Sequence, residues 1–357
     1  MLFDPTRIRD LPLANRTVMS PMTRSRAVEA NTPNALMAEY YAQRASAGLI
    51  VTEGTSPSPN GLGYARIPGL FDEKQATAWK LVTDAVHARG GRIVVQLMHT
   101  GRVGHVANLP AGAQVQGPTA ETLAGQMYTD SQGMQPHTAP RAMTQDDIAR
   151  TVEEFAQSAR LAVQAGFDGI ELHAANGYLI EQFLNPHVNT RTDGYGATNA
   201  GRNRFALEVA RATAAAIGGD KVGIRLSPYG VFNGTGPFPE VDAQYLALVE
   251  GLSELGLLYL HVLDHSAMGA PVVPAAIKAS LRQAFKGPFI AAGGFDADSA
   301  EQVLASGEAD LVAFGRPFLA NPDLVARMQA AAPLNAIDMD TFYTPGSKGY
   351  TDYPALA

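Results

Sequence analysis

Short β-branched or apolar runs alternate with longer amphipathic segments over most of this 357-residue sequence. From about Thr17 onward, the strand-like runs include TVMSPM, LIVTEG, RIVVQLMH and KVGIRLSP, and stretches with helical periodicity separate them. This alternation is typical of βα units that assemble a parallel sheet. We count about eight units, and eight close best into a barrel in which a helix follows each strand. The sequence therefore predicts the α/β class and a (β/α)8 barrel.

A doubly wound open sheet is the alternative arrangement of the same units. That fold usually carries a Gly-rich fingerprint after its first strand, and none follows TVMSPM. We expect residues 1–357 to form a single TIM-barrel domain, with the early segment MLFDPTRI as a hairpin over one end. A Gly/Pro/Gln-rich excursion after the third strand, from Thr100 to Arg141, has no apolar periodicity. Loops of this length inside a compact domain are usually functional, so we expect it to cover an active site.

Composition and charge exclude several classes of protein. The chain has no cysteine, which excludes a disulfide framework, a thiolate metal site and a cysteine nucleophile. No apolar run is long enough to cross a bilayer, and the first residues fit neither a secretory signal nor a transit peptide. A net charge of -7 and a pI near 5.6 argue against nucleic-acid binding, which needs a basic face. We expect a cytoplasmic protein, monomeric or homodimeric, that binds small molecules.

The stretch FDGIELHAANGYLIEQFLNP contains the strongest candidate site. Asp168 to Leu172 is predicted to be a buried parallel strand that ends on His173, and Asn176 and Tyr178 follow it closely. Active sites of barrels form at the C-terminal ends of the strands, so these polar side chains are expected to face a pocket. A histidine at a strand end can also be a structural group with satisfied hydrogen bonds. Because the pattern HxxN lacks a carboxylate partner, we predict no metal site.

Further polar residues and glycines fall at the ends of other strands. The late motifs IAAGGF and AFGRP combine an arginine able to make bidentate contacts with glycines that let backbone N–H groups approach an oxygen. Barrels often bind a phosphate after their seventh and eighth strands, where these motifs stand. Such a phosphate could belong to FMN or to a phosphorylated sugar, and the motifs leave both open. The candidates are Thr23, Gly54, Gln96, Arg225, Gly293, Gly294, Gly315 and Arg316.

Nine segments, in order along nearly the whole chain, carry a family resemblance. They are SPMTRSRA, LMAEYYAQRASAGLIVTEGT, RIVVQLMHTGR, ELHAANGYLIEQFL, RTDGYGA, RNRFALEV, GIRLSP, AFGRPFLANPDL and GYTDYP. The set resembles the Old Yellow Enzyme family of flavin-dependent ene-reductases, in the class of N-ethylmaleimide, pentaerythritol tetranitrate and xenobiotic reductases. The resemblance implies a TIM barrel that holds FMN noncovalently, takes hydride from NADPH or NADH, and passes it to an activated alkene. Nicotinamide would leave before the alkene enters, which predicts ping-pong kinetics.

The resemblance also implies a role for each residue around the cofactor. The residues that would border the flavin are Pro21, Met22 and Thr23. The threonine hydroxyl would bond the reactive edge of the ring, and Gly54 would pack against the ring where a side chain would crowd it. Gln96 and Arg225 would bond the pyrimidine end, where Arg225 would stabilise negative charge. The residues that would hold the phosphate are Gly293, Gly294, Gly315 and Arg316.

At the substrate, the resemblance implies two hydrogen-bond donors and one proton donor. His173 and Asn176 would both donate to the carbonyl oxygen and so stabilise the enolate charge that develops there. Tyr178 would deliver a proton at Cα, on the face opposite the hydride; a packed aromatic ring with a bonded hydroxyl is the alternative. Tyr64 and Tyr350 resemble family residues that line the substrate pocket.

Two departures from the family pattern leave the substrate range open. Some relatives carry Trp where Met98 stands and another near Ala267, which predicts a wider pocket here. Nitroester or nitroaromatic reduction at the same residues is one alternative activity. A non-redox barrel acting on a sugar phosphate is another, although an aldolase needs a Schiff-base lysine and no predicted strand core contains one. Of the other histidines, His99 and His261 are expected to support strand ends. Those expected to be exposed are His87, His105, His137, His187 and His265.

Overall fold

A computed structural model describes residues 1–356 of the chain. The strands are β1 (Thr6–Ile8), β2 (Leu11–Leu13), β3 (Thr17–Met19), β4 (Leu49–Val51), β5 (Ile93–Leu97), β6 (Gln116–Gly117), β7 (Gln126–Thr129), β8 (Gly133–Pro136), β9 (Arg141–Ala142), β10 (Gly169–Ala174), β11 (Val222–Leu226), β12 (Tyr259–Leu263), β13 (Phe289–Ala292) and β14 (Leu311–Phe314). The helices are α1 (Ala35–Gln43), α2 (Glu73–His87), α3 (Gln145–Gln164), α4 (Leu179–Leu184), α5 (Asn199–Ile217), α6 (Val241–Ser253), α7 (Ala275–Ala284), α8 (Ala297–Ala305), α9 (Arg316–Ala320) and α10 (Leu324–Gln329). None of the helices within residues 1–356 is long and apolar enough to cross a membrane.

Eight parallel strands close into a barrel in the order β3, β4, β5, β10, β11, β12, β13 and β14, and β14 pairs back onto β3. Both β5 and β10 are buried along their full length, because helices cover the outside of the sheet and side chains fill the inside. The predicted (β/α)8 barrel is confirmed. The strands are shorter than the predicted runs, since the last residues of each run leave the ladder and enter the loop that follows.

An antiparallel hairpin of β1 and β2 closes one end of the barrel. Ile8 and Leu13 from the hairpin pack with Val18, Leu49 and Leu311, which lie near the starts of barrel strands. The hairpin therefore covers the N-terminal end, opposite the end where active sites form. A hairpin in this position is as predicted, although its second strand lies beyond the MLFDPTRI segment.

The helix starts follow local capping chemistry. Thr144 is the N-cap of α3 and forms a capping box with Asp147. Helix α8, which lies between the seventh and eighth barrel strands, also begins with a capping box, formed by Asp296 and Ser299. Because α8 spans only 9 residues, its amphipathic pattern completes little more than two turns.

The excursion after β5 contains ordered structure that the sequence did not predict. Strands β6 and β9 pair in parallel, and β7 and β8 form an antiparallel hairpin. The hairpin contributes Met127 and Tyr128 to a cavity at the C-terminal end of the barrel. This position agrees with the expected role of the excursion as a cover.

Candidate active site

The register of the barrel strands brings five polar side chains together inside the sheet. His173 pairs with Arg225, Arg225 pairs with His261, and Gln96 pairs with Glu171. Successive side chains on a strand alternate between its two faces, so Glu171 and His173 lie on the same face of β10. Residues paired in register share a face of the sheet, so Gln96, Arg225 and His261 lie on that face as well. All five are buried. They form the polar interior of the barrel beneath its C-terminal end.

The turn after β10 presents the next two candidate residues. Asn176 and Gly177 both adopt left-handed backbone conformations, with φ of 60° and 72°. Position 177 requires glycine, because a Cβ there would come within 2.4 Å of the carbonyl oxygen of Phe232. Asn233 closes the turn by donating from Nδ2 to the Asn176 carbonyl at 2.7 Å. Tyr178 follows as the N-cap residue of α4.

The surroundings of His173 determine which ring nitrogen can donate a hydrogen bond. Nδ1 accepts the backbone N–H of Ala175 at 3.3 Å, so the ring proton belongs on Nε2. Burial, reinforced by the positive charge of Arg225, lowers the pKa of His173 well below its ordinary value. The imidazole is therefore neutral near pH 7. Among residues 1–356, Nε2 has no hydrogen-bond partner, which leaves one N–H donor free.

Two further donor side chains follow His173 in the turn after β10. The side-chain amide of Asn176 forms no hydrogen bond within the described residues. The hydroxyls of Tyr178 and Tyr64 lie 2.9 Å apart, and the ring centroids of His173 and Tyr178 lie 4.9 Å apart in an edge-on arrangement. Burial raises the pKa of Tyr178 to about 12, so the phenol keeps its proton at neutral pH. The site thus combines an imidazole N–H, an amide and a phenol.

A cavity of about 760 Å3 opens beside Tyr178, and we call it the mouth cavity. Its lining includes Thr23, Tyr64, Val103, Met127, Tyr128, Tyr178 and Tyr343. Arg66 links three segments that line this cavity: it donates hydrogen bonds to the backbone carbonyls of Ser25 and Tyr343 and forms an ion pair with the Asp130 carboxylate. The cavity is large enough for a small organic substrate and is largely aromatic and apolar.

Below the donors lies a network of buried polar groups around Glu171. Its carboxylate accepts hydrogen bonds from Gln96 Nε2 at 2.8 Å, Tyr259 OH at 3.1 Å and His261 Nδ1 at 2.8 Å. Burial works to raise the pKa of Glu171, but His261, Arg225 and Gln96 outweigh it, and the pKa is lowered. The carboxylate is therefore ionised at neutral pH and holds Gln96 in place.

Arg225 provides the test of whether this interior fits a flavin. Its guanidinium is 5% exposed and makes no hydrogen bond to the described residues, with Nε fully buried. Burying a guanidinium without a hydrogen-bond acceptor costs free energy, and a bound ligand that supplies the acceptor would remove this cost. Gln96 donates from Nε2 to Glu171, which leaves its Oε1 as an acceptor. The pyrimidine end of FMN carries both acceptors and an N–H donor, so the two side chains fit it.

The loops after β13 and β14 fit the phosphate end of the same cofactor. Gly293 and Gly294 have φ of 150° and 76°, values that glycine adopts readily. At Gly315 the nearest neighbour of an added Cβ would be Met22 Sδ at 3.8 Å, so the backbone there is open to an approaching oxygen. Arg316 is exposed at the start of α9 and is free to turn toward an anion. All four lie at the loops where the sequence predicted them.

The residues after β3 and β4 take more varied positions. Pro21, Met22 and Thr23 are half-buried at the end of the first barrel strand, and Thr23 faces the mouth cavity. At Gly54 an added Cβ would lie 2.5 Å from Met98 Sδ, so a larger residue there would also displace the Met98 side chain.

Two predictions about individual residues are wrong. Tyr350 was expected to line the substrate pocket, but it has no accessible surface and stacks on Tyr40 with a centroid distance of 4.0 Å. The guanidinium of Arg26 also packs against Tyr350, 4.7 Å from the centroid of its ring. A side chain without accessible surface cannot touch a ligand. His265 was expected to be exposed but is buried, with its ring centroid 4.5 Å from that of Phe232.

Outcomes for the other histidines are mixed. His99 is buried just after the end of β5, as predicted, whereas His261 is buried in the middle of β12 and not at its end. His187 is exposed, whereas three others are only partly exposed because they contact neighbouring loops or helices. These three are His87, His105 and His137.

Comparison with known proteins identifies the family. Residues 1–335 match the NADH:flavin oxidoreductase / NADH oxidase family. Chanoclavine-I aldehyde reductase of Penicillium roqueforti (strain FM164) is 44% identical over 99% of this chain and 95% of its own length. The structure of an Old Yellow Enzyme homologue from Zymomonas mobilis superposes with a TM-score of 0.95, at 38% identity, and covers 99% of each chain. The chain belongs to the Old Yellow Enzyme family. The structure of morphinone reductase in complex with tetrahydroNAD also superposes on it, with a TM-score of 0.94, 43% identity and coverage of 100% of this chain and 98% of the other.

Family membership settles several expectations together. This Old Yellow Enzyme relative is an FMN-dependent NAD(P)H oxidoreductase that reduces activated alkenes. The unpaired guanidinium of Arg225 and the open glycine loops agree with FMN as the resident cofactor. The alternative of a non-redox sugar-phosphate barrel is thereby removed.

Several residues of the site were not predicted from the sequence. Tyr343 lines the mouth cavity from a loop 165 residues after Tyr178. Its aromatic ring in a largely polar segment is the one local feature that could have indicated a place in the site. Glu171 was more visible, because a charged residue inside an apolar strand is expected to have a buried partner. Glu181 and Ser227, which hold the turn at Asn176, carried no local signal.

Proposed function

We propose that His173, Asn176 and Tyr178 carry out the reduction of the C=C bond of α,β-unsaturated carbonyl compounds in this protein. The observation that carries the proposal is their arrangement at the turn after β10: three donors without competing protein acceptors, apart from the Tyr64–Tyr178 hydroxyl pair, of which Tyr178 lines the mouth cavity. A carbonyl oxygen bound at this turn would meet two N–H donors and lie near one phenol.

The two N–H donors suit the charge that develops during the reaction. Hydride addition at Cβ of an enone shifts electron density onto the carbonyl oxygen, and N–H donors aimed at that oxygen stabilise the transition state. His173 is neutral and donates from Nε2, so it stabilises the oxyanion without transferring its proton. Asn176 does not titrate, so the strength of this donor is independent of pH.

Tyr178 is placed to complete the reaction. The enolate carbon needs one proton, and a phenol whose pKa is about 12 is protonated at every pH at which the protein would be assayed. The hydrogen bond with Tyr64 lowers the pKa of Tyr178 and so favours release of the proton. FMN, when bound, accepts hydride from NAD(P)H and returns it to the alkene.

The same proposal assigns the cofactor contacts. Gln96 and Arg225 would hold the pyrimidine end, with Arg225 balancing negative charge on the reduced ring. Thr23, at the edge of the mouth cavity, would bond the reactive edge. The remaining contacts would come from Pro21, Met22, Gly54, Gly293, Gly294, Gly315 and Arg316. Tyr64 would line the substrate side through its hydroxyl contact with Tyr178.

We infer further that residues 1–357 work as one FMN-binding unit in the cytoplasm, as a monomer or homodimer that does not bind nucleic acid. The absence of cysteine from the sequence and its net charge of -7 support this assignment. Gel filtration with light scattering would give the oligomeric state.

Phenol binding tests the proposed site. A phenolate resembles an enolate in placing one oxygen on a planar ring, and with oxidised flavin it gives a long-wavelength charge-transfer band. His173→Ala and Asn176→Ala each remove one donor to a desolvated anion, which should weaken phenol binding by about 1.5–3 kcal/mol, or roughly 10- to 150-fold. Affinity is scored per bound FMN. If both variants bind phenol as tightly as the parent, the oxygen is held elsewhere.

A further inference from the structure

Glu181 is a buried carboxylate that the proposed reaction does not use. It lies in the first turn of α4, three residues after Tyr178, and its side chain is 1% exposed. Its hydrogen-bond partners in the described structure are all neutral donors, without a lysine, arginine or histidine among them. Burial of a carboxylate without a cation is costly, so the presence of Glu181 at this position needs a physical explanation.

The contacts of Glu181 lead directly to the catalytic turn. Oε2 accepts the backbone N–H of Gly177 at 2.6 Å, and Oε1 accepts the hydroxyl of Ser227 at 2.8 Å and that of Tyr245 at 3.1 Å. The Ser227 hydroxyl oxygen in turn accepts the backbone N–H of Asn176 at 3.0 Å. One carboxylate therefore fixes two consecutive amides, the first through a serine and the second directly.

These two amides belong to the residues with left-handed backbone conformations. The φ of 60° at Asn176 is uncommon for a residue with a side chain and requires support from its surroundings. Rotation of this peptide would redirect the Asn176 side chain and shift the start of α4, where Tyr178 stands. Ser227 follows β11 and Tyr245 lies on α6, so the carboxylate also anchors the turn to two other parts of the barrel.

We propose that Glu181 is a positioning residue for alkene reduction, which holds the backbone of Asn176 and Gly177 so that the Asn176 amide meets the substrate oxygen. This inference rests on the proposed function, because it needs Asn176 to bind that oxygen. Glu181 acts only through the turn and does not reach the substrate. A role confined to stabilising α4 would leave phenol affinity unchanged in a folded variant, which separates the two roles.

The test is a double-mutant cycle between Glu181 and Asn176, read by phenol titration of the FMN-loaded protein. Glu181→Gln should weaken phenol binding about tenfold with FMN content unchanged, an effect within the range that coupled neighbours show. In the Asn176→Ala background, the same substitution should change the affinity less than about twofold, since the amide that it positions is gone. An equal loss in both backgrounds, or no loss in either, overturns the inference.

A matched control and a second variant complete the design. Glu208 also accepts a tyrosine hydroxyl, that of Tyr195 at 2.9 Å, but lies on α5 away from the turn, so Glu208→Gln should bind phenol as the parent does. Ser227→Ala removes the link to the Asn176 amide and retains the Glu181 carboxylate, so it carries the test if Glu181→Gln does not fold. Unchanged phenol affinity in Ser227→Ala overturns the inference.

Amide hydrogen exchange gives a readout that is independent of phenol. The peptide segment covering Asn176 and Gly177 should exchange faster in Glu181→Gln than in the parent or in Glu208→Gln. Unchanged exchange there contradicts the positioning role, whereas a parent protein without a phenol band contradicts the proposed function itself. The two failures are therefore distinguishable.

Discussion

Removing the Tyr178 hydroxyl is the most informative single change at this site. In Tyr178→Phe the ring keeps its edge-on packing against His173, whose centroid is 4.9 Å away. The lost hydroxyl has one protein partner among the described residues, Tyr64 at 2.9 Å, so stability should fall by only about 1 kcal/mol. The proton that completes alkene reduction loses its donor, and general acids typically contribute about 10²–10⁴-fold.

Anaerobic stopped-flow spectroscopy separates the two half-reactions in this variant. Reduction of FMN by NADPH needs no proton from Tyr178 and should proceed within about twofold of the parent rate. Reoxidation by 2-cyclohexenone should slow by at least about 10²-fold. Tyr64→Phe is the control, because it retains the donor and removes only the contact that lowers the pKa of Tyr178. Reoxidation of Tyr178→Phe at the parent rate would refute the assignment and make Tyr178 a packing residue.

Three further substitutions test other parts of the structure. Arg316→Ala should weaken FMN binding by about 1.5–3 kcal/mol, measured by fluorescence titration of the apoprotein, and unchanged affinity would remove Arg316 from the phosphate site. Burial raises the pKa of Glu181 to about 7 from 4.5, so the native state holds this proton more tightly than the unfolded chain does. The stabilisation is complete below pH 4.5 and is lost as the pH rises through about 7. Glu181→Gln cannot ionise, so between pH 5 and 8 its stability should rise relative to the parent by up to about 3 kcal/mol. Thermal midpoints at the two pH values measure this change, and a pH-independent difference would contradict it. Gly54→Ala should destabilise the protein by about 1–3 kcal/mol through overlap with Met98. In a Met98→Ala background the same substitution should cost less, and an equal cost in both backgrounds would place the clash elsewhere.

The barrel could be predicted because its signals are local. Each βα unit is recognisable in the sequence as an apolar run followed by an amphipathic segment. Because active sites of barrels form at the C-terminal ends of the strands, His173, Asn176 and Tyr178 then become candidate site residues. The turn at Gly293 and Gly294 could also be predicted from the local sequence, because glycine adopts positive φ angles without steric cost.

Features that depend on contacts between distant segments could not be predicted. The Tyr64–Tyr178 contact joins residues 114 positions apart, and neither local sequence identifies the other. Tyr350 was misplaced because its stacking on Tyr40 depends on how the C-terminal segment packs against α1. Glu181 appeared to be an ordinary polar residue of a helix, and its role emerged only when its three donors were located in space.

The central claim is that hydride from NAD(P)H reaches an activated alkene through FMN held in this barrel. The most direct measurement is an anaerobic titration of the purified protein followed at the flavin absorbance. We predict that one equivalent of NADPH or NADH per FMN bleaches the flavin, and that one equivalent of 2-cyclohexenone restores it with one equivalent of cyclohexanone formed. A bleached flavin that stays reduced after the enone is added, or reoxidation without cyclohexanone, would contradict the claim.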